Sequence, residues 1–170
     1  MQTRPHEDEY HEFYASYVAR VPEGDLITYM TDQAKKADSM LSVVAPEHEN
    51  YRYAEGKWSL KEVIRHILDT EWIFLYRALS IARGDKGPFP GIDQDDYMAG
   101  LSVEHVSLAD LASEMKSLRE ALLTMISGLR DSDWNRRGIA SECEVSVRAL
   151  LFIIAGHQQH HLDVLRKKYL

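Results

Sequence analysis

The run Gly156-His157-Gln158-Gln159-His160-His161 gathers three imidazoles near the end of the chain. Imidazole is the side chain that serves as a neutral ligand to divalent metals near physiological pH. Apolar residues around the run recur at helical spacing, Leu150 and Ile154 before it, Val164 and Leu165 after it. His157 and His161 continue that stripe at steps of three and four, so both fall where a helix points inward. Residues four apart stand one above the other, with about 5–6 Å between their Cβ atoms, and two imidazoles so placed can share one ion. His160 falls off the stripe and is expected to face elsewhere. The same spacing also describes a helix with two core histidines, each satisfied by one hydrogen bond. A third histidine, His66, lies inside another strongly patterned stretch. Three neutral imidazoles with an open position form the kind of site that keeps a divalent metal reactive.

Positioning these groups requires helices, and the pattern supplies four long ones. Asp25 is a candidate N-cap for a helix running to about Val44, with Leu26, Ile27, Met30, Ala34, Ala37, Met40 and Leu41 on one face and Pro46 as its stop. Ser59-Leu60-Lys61-Glu62 reads as a capping box. The helix it opens reaches about Arg83, where Gly84 supplies a stop. It is apolar around much of its circumference, which predicts a central place, and His66 shares a face with Val63, Thr70 and Ile73 at the edge of the core. Ser107 and Asp110 open a third helix with a regular stripe from Leu108 to Leu129, in which Met115 and Met125 read as core. Ser146 caps the last helix, and Arg166, Lys167 and Lys168 suit the negative end of its dipole. Tyr10, Phe13, Tyr14 and Tyr17 predict a short docked N-terminal helix over 7–19, its rings packing. Residues 84–106 form the longest irregular piece, and such loops in compact domains are often functional. Its acidic cluster Asp93-Gln94-Asp95-Asp96-Tyr97 could hold a cation, but it lacks the full spacing of a calcium loop and reads rather as a solvated turn or a short helix start. Residues 130–145 are turn-like, and a short hairpin at 139–145 is compatible with them. The expectation is an all-α four-helix bundle with a short extra N-terminal helix, in a single domain covering residues 1–170.

Charge excludes some functions. The net charge is −7, from 27 acidic residues against 20 Lys and Arg, and no run of basic residues is longer than the terminal Arg166-Lys167-Lys168. A nucleic-acid partner is therefore not expected, because phosphate binding needs a concentrated basic surface. Cys143 is the single cysteine, which excludes an intramolecular disulfide and fits a reducing, cytoplasmic setting. Its neighbours Glu142 and Glu144 would raise rather than lower a thiol pKa, so it reads as structural or incidental. The N-terminal residues Met1 to His6 hold no apolar run and predict no signal peptide. Ala149 to Ala155, the longest apolar stretch, is too short to cross a bilayer, and no membrane partner is expected.

Several segments carry a family resemblance: Lys57-Trp58-Ser59-Leu60-Lys61-Glu62-Val63-Ile64-Arg65-His66-Ile67-Leu68-Asp69-Thr70-Glu71, then Tyr76-Arg77-Ala78-Leu79, Ala82-Arg83-Gly84-Asp85 and Gly156-His157-Gln158-Gln159-His160-His161-Leu162. Together they resemble the DinB-like superfamily, which includes the YfiT-type proteins named as metal-dependent hydrolases. The combination of W-S-x-x-E-V-x-x-H with a terminal G-H-x-x-H-H is far more specific than either half, and the resemblance covers nearly the whole chain. It implies an up-down-down-up bundle, whose crossover between the second and third helices would account for the long 84–106 connection. It also implies a metal held by His66, His157 and His161, and a homodimer, for which the apolar second and fourth helices leave surface. Similar proteins include thiol S-transferases that use bacterial low-molecular-weight thiols, and a thiol-dependent isomerase.

A three-imidazole site accepts Zn, Ni or Fe as the divalent metal, and ligand type does not choose among them. Water on such a metal becomes a nucleophile for hydrolysis, whereas a low-molecular-weight thiol cosubstrate would be deprotonated for transfer to a small-molecule electrophile. Asp69, three residues after His66, is the better candidate to orient a ligand or move a proton. Glu71 is the second candidate, and for both a role as surface charge or helix-pairing group is the alternative. Trp58 and Trp72 read as packing residues. Arg77 reads as either a contact for an anionic substrate or an exposed salt bridge. Gln158 points away from the ligand stripe and is given no role. Two further readings compete with the enzyme: a non-enzymatic metal-binding or stress-response bundle, and a bundle whose histidines are merely core.

Overall fold

In the computed structural model, which describes residues 3–170, the chain runs through α1 (Ala15–Val18), α2 (Leu26–Leu41), α3 (Leu60–Ala82), α4 (Gln94–Ala99), α5 (Leu108–Ser127), α6 (Asp131–Trp134), the strands β1 (Arg137–Ala140) and β2 (Cys143–Ser146), and α7 (Val147–Lys168). Met1 and Gln2, where the signal-peptide reading begins, lie outside the described residues. Each long helix starts on a side chain that satisfies an otherwise unbonded amide of its first turn. Asp25 accepts from the Thr28 amide at 2.8 Å and Ser146 from the Ala149 amide at 2.9 Å. The boxes read from sequence close in both directions: Ser59 accepts from the Glu62 amide while Glu62 accepts from the Ser59 amide, and Ser107 and Asp110 do the same.

The four long helices form a bundle in up-down-down-up order. Helix α3 packs against both α5 and α7, and α2 packs against α5. Helix α3 is the central one: Leu60, Ile64, Ile67, Leu68, Ala78 and Ile81 are all essentially inaccessible. Burying a Leu or Ile side chain of this kind contributes about 1.5–3 kcal/mol. Among the described residues no helix is long and apolar enough to cross a membrane.

Three details differ from the pattern reading. The segment 7–19 is two 3-10 turns, Glu7–Glu9 and Glu12–Tyr14, followed by the single turn α1. Local side chains break the helix: His11 accepts from the Phe13 amide and Glu9 from the His6 amide. The hairpin spans 137–146 and turns through Ser141 and Glu142, both with positive φ, as a two-residue hairpin turn requires. The long connection is also partly ordered: α4 is the short helix start read at the acidic cluster, with Asp93 as its cap, and beyond that reading Phe89 donates its amide to Ile139 O on β1 at 2.8 Å.

The core divides into two apolar clusters. One holds Met30, Phe74, Leu122 and Ile154, the other Ala37, Leu68, Leu118 and Leu162. Between them every long helix contributes a buried polar residue: Gln33 from α2, Glu71 from α3, Arg119 from α5 and Gln158 from α7. The bundle thus has a polar waist, and His66 and His157 lie buried at the same level.

Candidate metal centre

Helix α3 carries His66 one turn before Thr70, and α7 carries His157 and His161 on one face. The three rings meet edge to face, with centroids 4.5 to 4.9 Å apart. His157 Nε2 lies 3.0 Å from His66 Nε2 and 3.1 Å from His161 Nε2. All three candidate ligand atoms lie within 4.8 Å of one another, and no carboxylate joins the cluster among the described residues. The sequence reading of His66, His157 and His161 as one group is realised in space.

Burial sets their protonation. Removing an imidazole from water disfavours its charged form. His66 is lowered to about 4 and His161 to about 3, chiefly by burial and then by neighbouring histidines. His157, 7% exposed, is lowered well below its ordinary value for the same reasons. All three are therefore neutral at pH 7 and keep a lone pair for a cation, which is the state a metal ligand needs. A donor set of neutral imidazoles suits divalent zinc, nickel or iron. Two nitrogens that each sit ~2.0–2.1 Å from one tetrahedral ion stand about 3.3 Å apart. The observed 3.0 and 3.1 Å fall within a few tenths of that, so two of the three pairs stand near a metal's spacing, and the third pair lies within 4.8 Å.

Aromatic rings close the cluster from two sides. Trp58 lies 5.0 Å from His66 between ring centroids, so this packing residue packs on the site itself. Tyr17 meets His157 edge-on at 5.3 Å and His160 at 5.7 Å. The N-terminal segment comes this close because residue 156 has no side chain. A Cβ on Gly156 would stand 1.9 Å from Tyr17 O, so only glycine allows that approach one residue before His157. His160, expected to face elsewhere, is half-buried against the His161 ring at 4.9 Å.

Two clefts open on the cluster. One of about 330 Å³ is lined by Tyr14, Tyr17, Phe74, Thr70, His66 and His157. The other, about 470 Å³, is lined by Trp58, Lys57, Tyr53, His160, His161 and Tyr169. Gln94 and Asp95, at the start of α4, border both clefts. The 84–106 connection therefore crosses directly over the histidines, where the sequence marked it only as a long loop.

The other singled-out residues fall elsewhere. Asp69 accepts from Arg65 Nε at 2.9 Å, and Arg65 continues to Glu114 through two bonds of 2.8 Å. Burial raises the Asp69 pKa against the pull of Arg65, and Asp69 lines neither cleft. Glu71 is not a surface charge. It turns inward and receives two bonds of 2.8 Å from Arg119. Gln158, given no role from sequence, is also buried, and its Oε1 accepts from the same guanidinium. Trp72 is about half exposed and donates to Glu114 at 3.1 Å. Tyr17, Thr70, Gln94 and Asp95 were not singled out for the site, and Arg119 was missed altogether.

Such a chain is a helical bundle whose polar waist presents three neutral histidines to two clefts. It belongs to the DinB superfamily, whose family profile matches residues 29–165. A protein of Oceanobacillus iheyensis named "Putative metal-dependent hydrolase" is 22% identical over 112 residues, 65% of this chain. The match spans 64% of that relative's length, just under two thirds. Among solved structures, YfiT from Bacillus subtilis, described as a probable metal-dependent hydrolase with an unusual four-helix bundle topology, superposes with a TM-score of 0.74 at 14% identity, over 98% of this chain and 93% of that one. A mycothiol-dependent maleylpyruvate isomerase has the same fold over 84% of this chain and 60% of its own, with a TM-score of 0.67 and 14% identity.

Proposed function

We propose that the protein is a metal-dependent enzyme acting on small-molecule electrophiles, with one divalent ion held by His66, His157 and His161. The observation that carries this reading is the convergence of three neutral Nε2 atoms, from buried His66 and His157 and half-buried His161, where two clefts meet. A divalent ion bound there supplies Lewis acidity, which acidifies a water or a thiol beside it and favours attack on an electrophile. The chain's own residues do the rest. Burial keeps the imidazoles unprotonated, Trp58 and Tyr17 limit water around them, and the aromatic wall of Tyr14 and Phe74 accepts an apolar substrate body. Proton movement would fall to Asp95, which borders both clefts, or to Asp69 if the connection and α3 shift relative to each other.

Hydrolysis and thiol transfer differ in how many molecules must bind. Hydrolysis needs one cleft and water, whereas thiol transfer needs space for two reactants. The second cleft, and the fold shared with a mycothiol-dependent isomerase, favour transfer from a low-molecular-weight thiol as the second reading. Elemental analysis of untagged protein tests the shared premise: about one metal per chain in the native protein and loss of it in His66→Ala. Turnover of an activated ester and of a chlorinated electrophile, with and without added cysteine, then separates the two chemistries. No bound metal after reconstitution with zinc, nickel or iron sinks both and leaves a bundle with core histidines. Metal without turnover leaves a metal-binding protein.

A further inference from the structure

Arg77 and Arg119 are both buried guanidiniums, 2% and 1% exposed, but their surroundings differ. Arg119 has the Glu71 carboxylate across two hydrogen bonds. Arg77 has no carboxylate at ion-pair distance among the described residues. Its Nη2 donates to Pro90 O at 2.6 Å, and its Cζ lies 5.1 Å from the centroid of the Phe74 ring. A carbonyl dipole and a ring face compensate a buried cation only in part. Nε and Nη1 of Arg77 have no protein partner among the described residues. No fully enclosed side-chain nitrogen or oxygen lacks one among the described residues, so these two nitrogens must reach accessible space. The space Arg77 lines is a cleft of about 310 Å³ walled by Trp72, Tyr76, Phe89, Pro90, Ile92 and Tyr97.

We propose that this cleft is a second small-molecule site, which takes a carboxylate attached to a flat apolar body. A guanidinium presents donors in a planar fork that matches a carboxylate, and it does so best where water is scarce. The exposed faces of Trp72, Tyr76 and Tyr97 suit an aromatic or unsaturated body. A volume of this size holds a small molecule. The nearby carboxylate, Glu114, is already committed to Arg65 and to Trp72 Nε1, so it does not compete for Arg77. Burial disfavours the charge on Arg77. The site adjoins the histidine clefts, since Ile92 lines both this cleft and the one containing His66. Its existence does not depend on a metal.

Calorimetric titration of the full chain with benzoate, and with benzamide as a neutral body of the same shape, tests the assignment. Benzoate is expected to bind one per chain and at least ten times more tightly than benzamide. Binding should be the same with and without zinc and unchanged in His157→Ala. In Arg77→Gln, which keeps an amide donor without the charge, the preference for benzoate should disappear, and in Arg77→Lys it should weaken. Equal binding of the two probes, unaltered benzoate binding in Arg77→Gln, or a requirement for zinc would each overturn the proposal. If Arg77→Gln does not fold, amide and indole shifts in the native protein decide: benzoate must perturb Trp72 and Tyr97, and shifts confined to Tyr17 and His157 would overturn it.

Discussion

The waist of this bundle holds two buried polar groups side by side, and they are built on opposite logic. In one, Arg119 is closed on every side. Glu71 accepts from it twice, Gln33 Oε1 accepts at 3.0 Å, and Gln158 Oε1 accepts as well. Gln33 in turn donates to Ala155 O at 2.9 Å. In the other, three histidines have chiefly one another. A neutral imidazole pair shares one proton between two nitrogens, and two nitrogens converge on His157 Nε2 with no carboxylate joining them among the described residues. His157 and Gln158 are neighbours on α7, yet one faces the open group and the other the closed one. A polar group that satisfies itself holds helices together. One that leaves basic lone pairs converging beside two clefts is built for something that arrives from outside.

The largest expected effect falls on the closed group. Arg119→Met leaves Glu71 buried without its partner, which should cost about 3–5 kcal/mol, read from urea denaturation. Replacing both, as Arg119→Met with Glu71→Leu, should recover most of that, because an ion pair exchanged for apolar volume is often near neutral. If the two regions are separate, the double variant keeps its metal content. Loss of metal in a well-folded double variant would show that Arg119 also sets the spacing between α3 and α7, and that the two groups are not separate.

The open group should respond to metal instead. Zinc at a hundredfold its dissociation constant should stabilise the native protein by about 2.7 kcal/mol and His157→Ala not at all, measured by the same denaturation. Equal stabilisation of both would place the metal elsewhere. Acid should act on the same residues. Folded His66 and His161 have pKa values of about 4 and about 3 against 6.5 for the free side chain. Between those values the unfolded chain takes up protons that the folded chain refuses, so stability falls as pH drops below about 6.5 and is level above it. Metal-free native protein should therefore lose stability across that range more steeply than His66→Gln/His161→Gln. Parallel slopes would mean that the histidines are not held neutral by the fold.

The histidines, the four helices and their caps were legible because each rests on local spacing or on a family motif. The stripe through Leu150, Ile154, His157 and His161 specified both the inward face and the pair on it. The closed group was missed although its signal was present. Arg119 stands on the stripe Met115, Leu118, Leu122 and Ile126, and Glu71 between Leu68 and Phe74, where a charge must find a buried partner. That partner lies on another helix, 48 residues away, and no local period links the two. The roles of Tyr17, Gln94 and Asp95 were hidden for the same reason. Segments without periodicity carry them to the histidines, and Gly156 marked the approach of Tyr17 without saying which residue approaches.

The smallest expected effect is at Asp69, and it refines the boundary between the two groups. Its carboxylate is half-buried, and burial raises its pKa even though Arg65 is beside it. The ionised form is therefore less favoured in the fold than in water, and the ion pair stabilises little. Asp69→Asn keeps the shape and one acceptor for Arg65, and Arg65 retains Glu114 through two bonds. Stability should change by less than about 1 kcal/mol, and metal content should not change. These two results make the variant a clean probe of chemistry, since any loss of turnover could not be traced to folding or to an empty site. Turnover that falls tenfold or more with its pH profile altered would assign Asp69 a proton-transfer role reached by movement of α3 or α4. Turnover at the native level would leave Asp69 as part of the Arg65 surface network and move the search for a base to Asp95, which already borders both clefts.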